Sequence, residues 1–227
     1  MFMKRITVLL AEDHQIVREG LRSLLKHERD IEVVGEAETG RQAVQLSRKL
    51  RPAVVVMDIA MPLLNGLEAT RQIRKAVPDT RVLILTAHSD DAYVEQMTEL
   101  GAAGFLLKQT SAHVLAEAIR EVHKGNTFFS PSITKRLHGR DPKALPRRGQ
   151  LKKKINRLSP REMEVLQLIA EGKPNKQVAA ELGVTFKTVD KHRQHLMSKL
   201  DIHDIAGLTR YAISAGIIEN SVQLTVN

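Results

Sequence analysis

Five side chains in the first half of this 227-residue chain have the types and order to handle a phosphoryl group: Glu12, Asp13, Asp58, Thr86 and Lys108. Each ends or follows a short apolar run: Ile6 to Leu10 precedes the acidic pair, Ala53 to Met57 precedes Asp58, Val82 to Leu85 precedes Thr86, and Gly104 to Leu107 precedes Lys108. In an open parallel sheet, ligands bind outside the carboxyl ends of the strands where strand order reverses, so three carboxylates should meet in one crevice. Like charges at that separation raise one another's pKa unless a cation neutralises them. Two or three carboxylates suit magnesium, which prefers oxygen ligands, keeps several waters and leaves room for a phosphate. Zinc does not fit, because the chain has no cysteine and its nine histidines show no ligand spacing beyond His192 and His195. The Thr86 hydroxyl and the Lys108 ammonium are the fixed donors that a transferring phosphoryl group needs. Singly, each residue also has a plainer role. Glu12 and Asp13 suit the start of a helix near His14, Asp58 could cap the loop before Met61-Pro62, and Lys108 could be a surface lysine. Jointly, acid pair, acid, hydroxyl and lysine in strand order favour a phosphate-handling site built around Asp58.

The elements that must position these residues follow from hydrophobic period. With Ile31 to Val34 added, there are five short apolar runs, four of them rich in β-branched residues, and helical patterns near 14–27, 40–50, 66–76, 91–100 and 112–123 alternate with them. Five strands and five helices in about 125 residues predict an α/β, flavodoxin-like doubly wound (βα)5 domain with a parallel five-stranded sheet in the order 2-1-3-4-5.

A different pattern follows. Between 125 and 157 it dissolves into Pro131, Gly139, Pro142, Pro146, Gly149 and the Lys152-Lys153-Lys154 run, which predicts a flexible connector. Such a stretch is either a solvated spacer or a basic arm that follows phosphate backbones. Beyond it, Ser159, Pro160 and Glu162 form a capping box that starts a helix, and Gly172 stops it. A second helix is expected over Asn175 to Leu182, with Gly183 turning the chain. Thr185 caps a third reaching about Leu200, and a fourth covers about Ile205 to Ala215. Four short helices with a glycine turn between the second and third match an all-α helix-turn-helix unit. On the third helix Val189, Leu196 and Leu200 share one face, while Lys187, Lys191, Gln194 and Ser198 lie opposite. Such a helix is either the exposed face of a bundle or a reader of nucleic acid. In the second case Lys191 and Gln194 could reach base edges, with Lys187, Thr188, Arg193, Lys199 and Lys176 holding phosphates. Asp190, beside them, either accepts from a cytosine amine or repels phosphates.

Charge supports the division. The net charge of +9 lies in the connector: residues 1–125 hold 17 basic and 17 acidic groups, 126–157 hold ten basic groups against Asp141 alone, and the remainder holds eight of each. The composition, 42% apolar and 27% charged, excludes wholesale disorder, and the absence of cysteine excludes a disulfide scaffold. No window is long and apolar enough to span a membrane and no leader is evident, so a cytoplasmic location is expected.

Two sets of motifs resemble known families. Glu12-Asp13, Val55-Val56-Met57-Asp58, Met61-Pro62 with Gly66, Thr86-Ala87 and Lys108 resemble the receiver domain of two-component response regulators. The resemblance implies that Asp58 accepts a phosphoryl group from a sensor histidine kinase, and that Glu12, Asp13, Asp58 and the Ala60 backbone carbonyl surround magnesium. It also implies that Thr86 and Lys108 contact the phosphoryl oxygens and that Phe105 is the switch aromatic. A tyrosine is common there in relatives, so here gating must come from packing, and an ordinary core role for Phe105 stays open. Leu158-Ser159-Pro160-Arg161-Glu162, Leu168-Ile169-Ala170-Glu171-Gly172, Asn175-Lys176, Thr188-Val189 with His192, and Lys199-Leu200 resemble the LuxR-type helix-turn-helix. Together they are similar to the NarL/FixJ class. That implies a receiver over 4–124, a linker over 125–156 and a DNA-binding domain over 157–222, with Asn175 to Gln194 as the bihelical motif. The implied partners are a histidine kinase, promoter DNA, a second copy of the chain when phosphorylated, and RNA polymerase at the promoter. A turnover enzyme is not expected: phosphatases resembling the haloacid dehalogenase type place a second aspartate two residues after the first, and Ala60 stands there. A constitutive DNA binder with an idle acidic site is the remaining rival.

Overall fold

The computed structural model describes residues 5–86, 101–130 and 158–218, and the chain divides into two units, 1–141 and 142–227. In the first, β1 (Ile6–Ala11), β2 (Ile31–Ala37), β3 (Val54–Met57), β4 (Arg81–Thr86), β5 (Gly104–Leu107) and β6 (Phe128–Phe129) form one parallel sheet in the order β2-β1-β3-β4-β5-β6. Side chains alternate along each strand, so the sheet has two apolar faces. One carries Leu9, Val55, Met57, Ile84 and Phe105 and is covered from α2 (Gly40–Leu50) and α3 (Gly66–Ala76) by Ala43, Val44, Leu67 and Ile73. The other carries Val8, Leu10, Val56, Leu83 and Leu106. It is covered from α1 (Gln15–Lys26) and α4 (Ala112–His123) by Leu25, Leu115, Ile119 and Val122. Covering on both faces is what makes near-continuous β-branched runs legible as parallel strands.

The sheet departs from the sequence expectation at its edge. Five strands were expected, and β6 adds a sixth inside the stretch assigned to the connector. Phe128 N–H donates to the Ala103 carbonyl at 3.1 Å and Ser130 N–H to that of Phe105 at 3.2 Å. Those bonds satisfy an edge of β5 that would otherwise stand open. β2 also runs past Val34 to Ala37, carried by pairing with β1 across an irregularity between Val8 and Leu9. The expected helix at 91–100 and most of the connector lie outside the described residues.

The second unit contains four helices among its described residues: α5 (Pro160–Ala170), α6 (Asn175–Leu182), α7 (Phe186–Leu200) and α8 (Ile205–Ser214). The Ser159 capping box is formed, with Ser159 N–H donating to Glu162 Oε2 at 2.7 Å. Gly183 ends α6 with φ of 62°, a left-handed conformation that glycine adopts without a Cβ penalty. Thr185 caps α7 through the Thr188 N–H at 3.2 Å. Val189, Leu196 and Leu200 are fully buried, so the expected apolar face of α7 packs inward. None of the described helices is long and apolar enough to cross a membrane.

Candidate functional site

Strand order brings the acids together. β1 is the point of reversal, flanked by β2 on one side and β3 on the other, with Ala11 opposite Met57. The next residues are therefore neighbours: Asp58 N–H donates to the Ala11 carbonyl at 2.9 Å and Glu12 N–H to that of Ala37 at 2.9 Å. Both carboxylates sit at the sheet's mouth, with side chains only 2% exposed for Glu12 and 3% for Asp58. α3 must pass close behind. A Cβ on Gly66 would lie 2.0 Å from the Asp58 carbonyl oxygen, so only glycine permits that approach.

Lys108, at the end of β5, closes the ring. Its ammonium lies 2.9 Å from Asp58 Oδ2, 3.0 Å from Glu12 Oε1 and 2.8 Å from Glu12 Oε2. Its backbone N–H donates to the Thr86 carbonyl at 2.8 Å, which registers the lysine against the end of β4. Asp58 Oδ1 accepts from Ile59 N–H at 2.8 Å. One oxygen is thus held by the backbone and the other faces the ammonium.

The electrostatics follow from crowding in a dry place. Burial, and then the Glu12 charge, push the Asp58 carboxyl from 3.8 up to about 6, with Lys108 opposing them. Burial works against the charge on Lys108, but Asp58 and Glu12 together hold its pKa above the ordinary lysine value. At neutral pH the arrangement is an anion pair bridged by one cation.

The donor set fits a hard divalent cation. Ligand atoms of Glu12, Asp13, His14 and Asp58 all lie within 4.8 Å of one another. Glu12 Oε2 and Asp13 Oδ1 are buried without an aligned hydrogen-bond donor, although Lys108 and His14 approach them to 2.8 and 2.9 Å respectively. Under-satisfied carboxylate oxygens converging on one point are what magnesium uses. Glu12 and Asp13 do not cap α1, whose N-cap is His14 without a side-chain bond.

The other expected receiver residues fall as follows. Thr86 is buried at the end of β4 and Ala60 lies half-buried in the β3–α3 loop. Phe105 is 1% exposed in the core face of the sheet, opposite Phe129 of β6, so in this conformation it packs as a core residue. Sequence reasoning missed Arg18. Its guanidinium, buried beneath α1, donates to the Glu12 carbonyl at 2.8 Å, to Glu38 at 2.7 Å and to Glu36 at 3.2 Å, tying the acidic loop to the end of β2. An arginine one turn into an amphipathic helix gives no signal that it is buried.

In the second unit, Lys176, Lys187, Lys191 and Gln194 are exposed, and Thr188 and Asp190 are half-buried. Gln194 donates to Asp190 Oδ2 at 2.9 Å, and Arg193 to Asn175 Oδ1 at 3.2 Å, the latter bridging α7 and α6. Thr185 spends its hydroxyl on the cap. Lys199, half in solvent, places its ammonium 2.7 Å from buried Glu162, an ion pair that braces α7 on α5.

Comparison with known proteins agrees with this division. The profile of the response regulator receiver domain matches residues 8–120, and that of the bacterial regulatory proteins of the luxR family matches 156–212. The transcriptional regulatory protein LiaR of Bacillus subtilis is 40% identical over 207 residues, spanning 91% of this chain and 96% of LiaR. DegU of Brevibacillus brevis is 36% identical across 88% of this chain and 89% of its own. Among solved structures, RcsB of Salmonella typhimurium is 28% identical with a TM-score of 0.58, covering 93% of this chain and 100% of that one. An RcsB–DNA complex is 29% identical with a TM-score of 0.57, over 93% and 99%. With receiver and LuxR-type helices in this order, the chain belongs to the two-component response regulators of the NarL/FixJ class, which regulate transcription.

Proposed function

We propose that Asp58 is the phosphoacceptor of this regulator, that a sensor histidine kinase is its donor, and that the phosphorylated chain pairs with a second copy to bind promoter DNA through α6 and α7. The observation that carries this assignment is the Lys108 ammonium held between two buried carboxylates. In the transfer, an Asp58 carboxylate oxygen forms the new bond to phosphorus while the bond from phosphorus to the donor's imidazole nitrogen breaks, and the imidazole regains a proton. Ile59 N–H holds Oδ1 and so fixes the plane of the attacking group. Lys108 then exchanges a carboxylate partner for phosphoryl oxygens, and the Thr86 hydroxyl, from the end of β4, donates to them as well. Magnesium, held by Glu12, Asp13, Asp58 and the Ala60 carbonyl, would neutralise charge on the phosphoryl oxygens. The chain accepts and loses its own phosphoryl group rather than turning over a substrate, and it works in the cytoplasm where kinase and DNA meet.

On DNA, Lys191 and Gln194 address base edges, Lys176, Lys187 and Arg193 address phosphates, and Asn175, Thr185 and Thr188 order the two helices. Pairing has a physical motive, since one four-helix module offers little surface for tight specific binding, and α8 is the helix assigned to that contact. RNA polymerase is a further partner assigned by promoter context alone. Incubation of the full chain with acetyl phosphate and magnesium should give an adduct of about 80 Da, and borohydride should expel its phosphate and reduce the Asp58 carboxyl to an alcohol that marks the position. No adduct on wild type, or an equal adduct on Asp58→Ala, overturns the assignment.

A further inference from the structure

Phe186 has no role in the site as described, yet its place is unusual. The apolar side chains of α7 that face the domain, Val189, Leu196 and Leu200, are fully buried, whereas Phe186 is 57% exposed. It is the first residue of α7, between the capping Thr185 and exposed Lys187. A Cβ on a helix tilts toward the N-terminus, so the ring projects from the leading end of α7. In a helix-turn-helix that end enters the major groove first. The surrounding chemistry matches a polyanion: the exposed cations Lys187 and Lys191 and the positive end of the helix dipole lie within the same two turns. The hydroxyls at the tip are already used, because Thr185 Oγ1 accepts from Thr188 N–H and lies 2.8 Å from Thr188 Oγ1. A benzyl ring can neither pair with a phosphate nor hydrogen-bond a base edge. Its favourable partner in a major groove is the C5 methyl of thymine, where both apolar surfaces leave water together.

We propose that Phe186 is a specificity-determining residue that packs on a thymine methyl in the major groove of the DNA half-site. This contact rests on the DNA-binding reading and adds to it a base that α7 selects without a hydrogen bond.

The test uses the full chain and duplexes enriched by it from a random pool. In the enriched site, each thymine is replaced in turn by deoxyuracil, which removes the methyl and leaves the hydrogen-bonding edge intact. Wild type should lose about fourfold in affinity at one thymine per half-site, the equivalent of one methyl group returned to water. Phe186→Ala should bind the thymine and uracil duplexes equally there, and Phe186→Leu should keep part of the difference. Melting curves for the variants should overlay that of wild type, since the ring is exposed. A uracil scan that is flat for wild type while binding remains salt-dependent overturns the contact. So does a thymine preference that survives in Phe186→Ala, which would assign the methyl to another side chain and the ring to a protein partner. Failure of the pool to enrich any duplex would overturn the DNA-binding reading itself, and is told apart by the absence of salt-dependent binding.

Discussion

Replacing Asp58 by asparagine should make the receiver more stable, because the native carboxylate is held where its charge is penalised. Burial and Glu12 move its pKa from 3.8 to about 6, so between those values the folded chain keeps a proton that the unfolded chain has released. Stability therefore falls as pH rises through this window and levels off above it. The interval corresponds to about 3 kcal/mol above pH 6, and to about half of that near pH 5. Asparagine imitates the neutral acid, can still accept from Ile59 N–H, and leaves Lys108 its bonds to Glu12. Asp58→Asn should exceed wild type by up to about 3 kcal/mol near pH 7.5 and by about half as much near pH 5. Hydrogen exchange in peptides from β1 and β3, measured on the full chain with EDTA present, reports opening of the receiver separately from the second unit. Saturating magnesium should then narrow the gap by binding wild type, about 2.7 kcal/mol at one hundred times its Kd. A variant no more stable than wild type near neutral pH without metal, or a gap that ignores pH, would refute the electrostatic reasoning.

Other outcomes follow from particular contacts. Gly66→Ala drives a Cβ against the Asp58 carbonyl oxygen, and should cost about 1–3 kcal/mol and slow adduct formation, checked by hydrogen exchange and intact mass. In α5, burial raises the Glu162 pKa, but Lys199 and the Ser159 backbone overcome it and hold the carboxyl below its ordinary 4.5. Glu162→Gln should therefore cost about 1 kcal/mol at neutral pH in urea unfolding. The cost should be fully present above 4.5 and vanish as pH falls through the lowered value. Lys187→Ala should weaken binding to every duplex alike and reduce the slope of log K against log salt by about 0.9.

The sequence shows most of the receiver because its signals are redundant. Each buried parallel strand is a short apolar run, most of them β-branched, and each site residue sits at the end of one, so strand order alone predicts that Glu12, Asp58 and Lys108 share a rim. The unread parts lack such redundancy. β6 is two phenylalanines beside a basic stretch, too short for any period, and only the open edge of β5 makes it a strand. The end of β2, Gly35-Glu36-Ala37, carries no β-branched residue and is extended by its partner. Arg18 and Lys199 were opaque for a common reason: a long cation on an amphipathic helix looks solvated until the acid it reaches, Glu38 or Glu162, is placed in space. Phe186 was hidden differently, since a single aromatic after a cap resembles a core residue and only its exposure separates the two.

The central claim is that a charge event at Asp58 governs what α7 does on DNA. It is tested most directly by the affinity of the full chain for an enriched duplex, at matched salt and with magnesium, before and after acetyl phosphate treatment. Phosphorylated wild type should bind tighter by a factor within the usual range of about 5 to 150, while Asp58→Ala gives one curve under both conditions. Superimposable curves for treated wild type and treated Asp58→Ala would contradict the account and leave a DNA binder whose acidic site controls nothing.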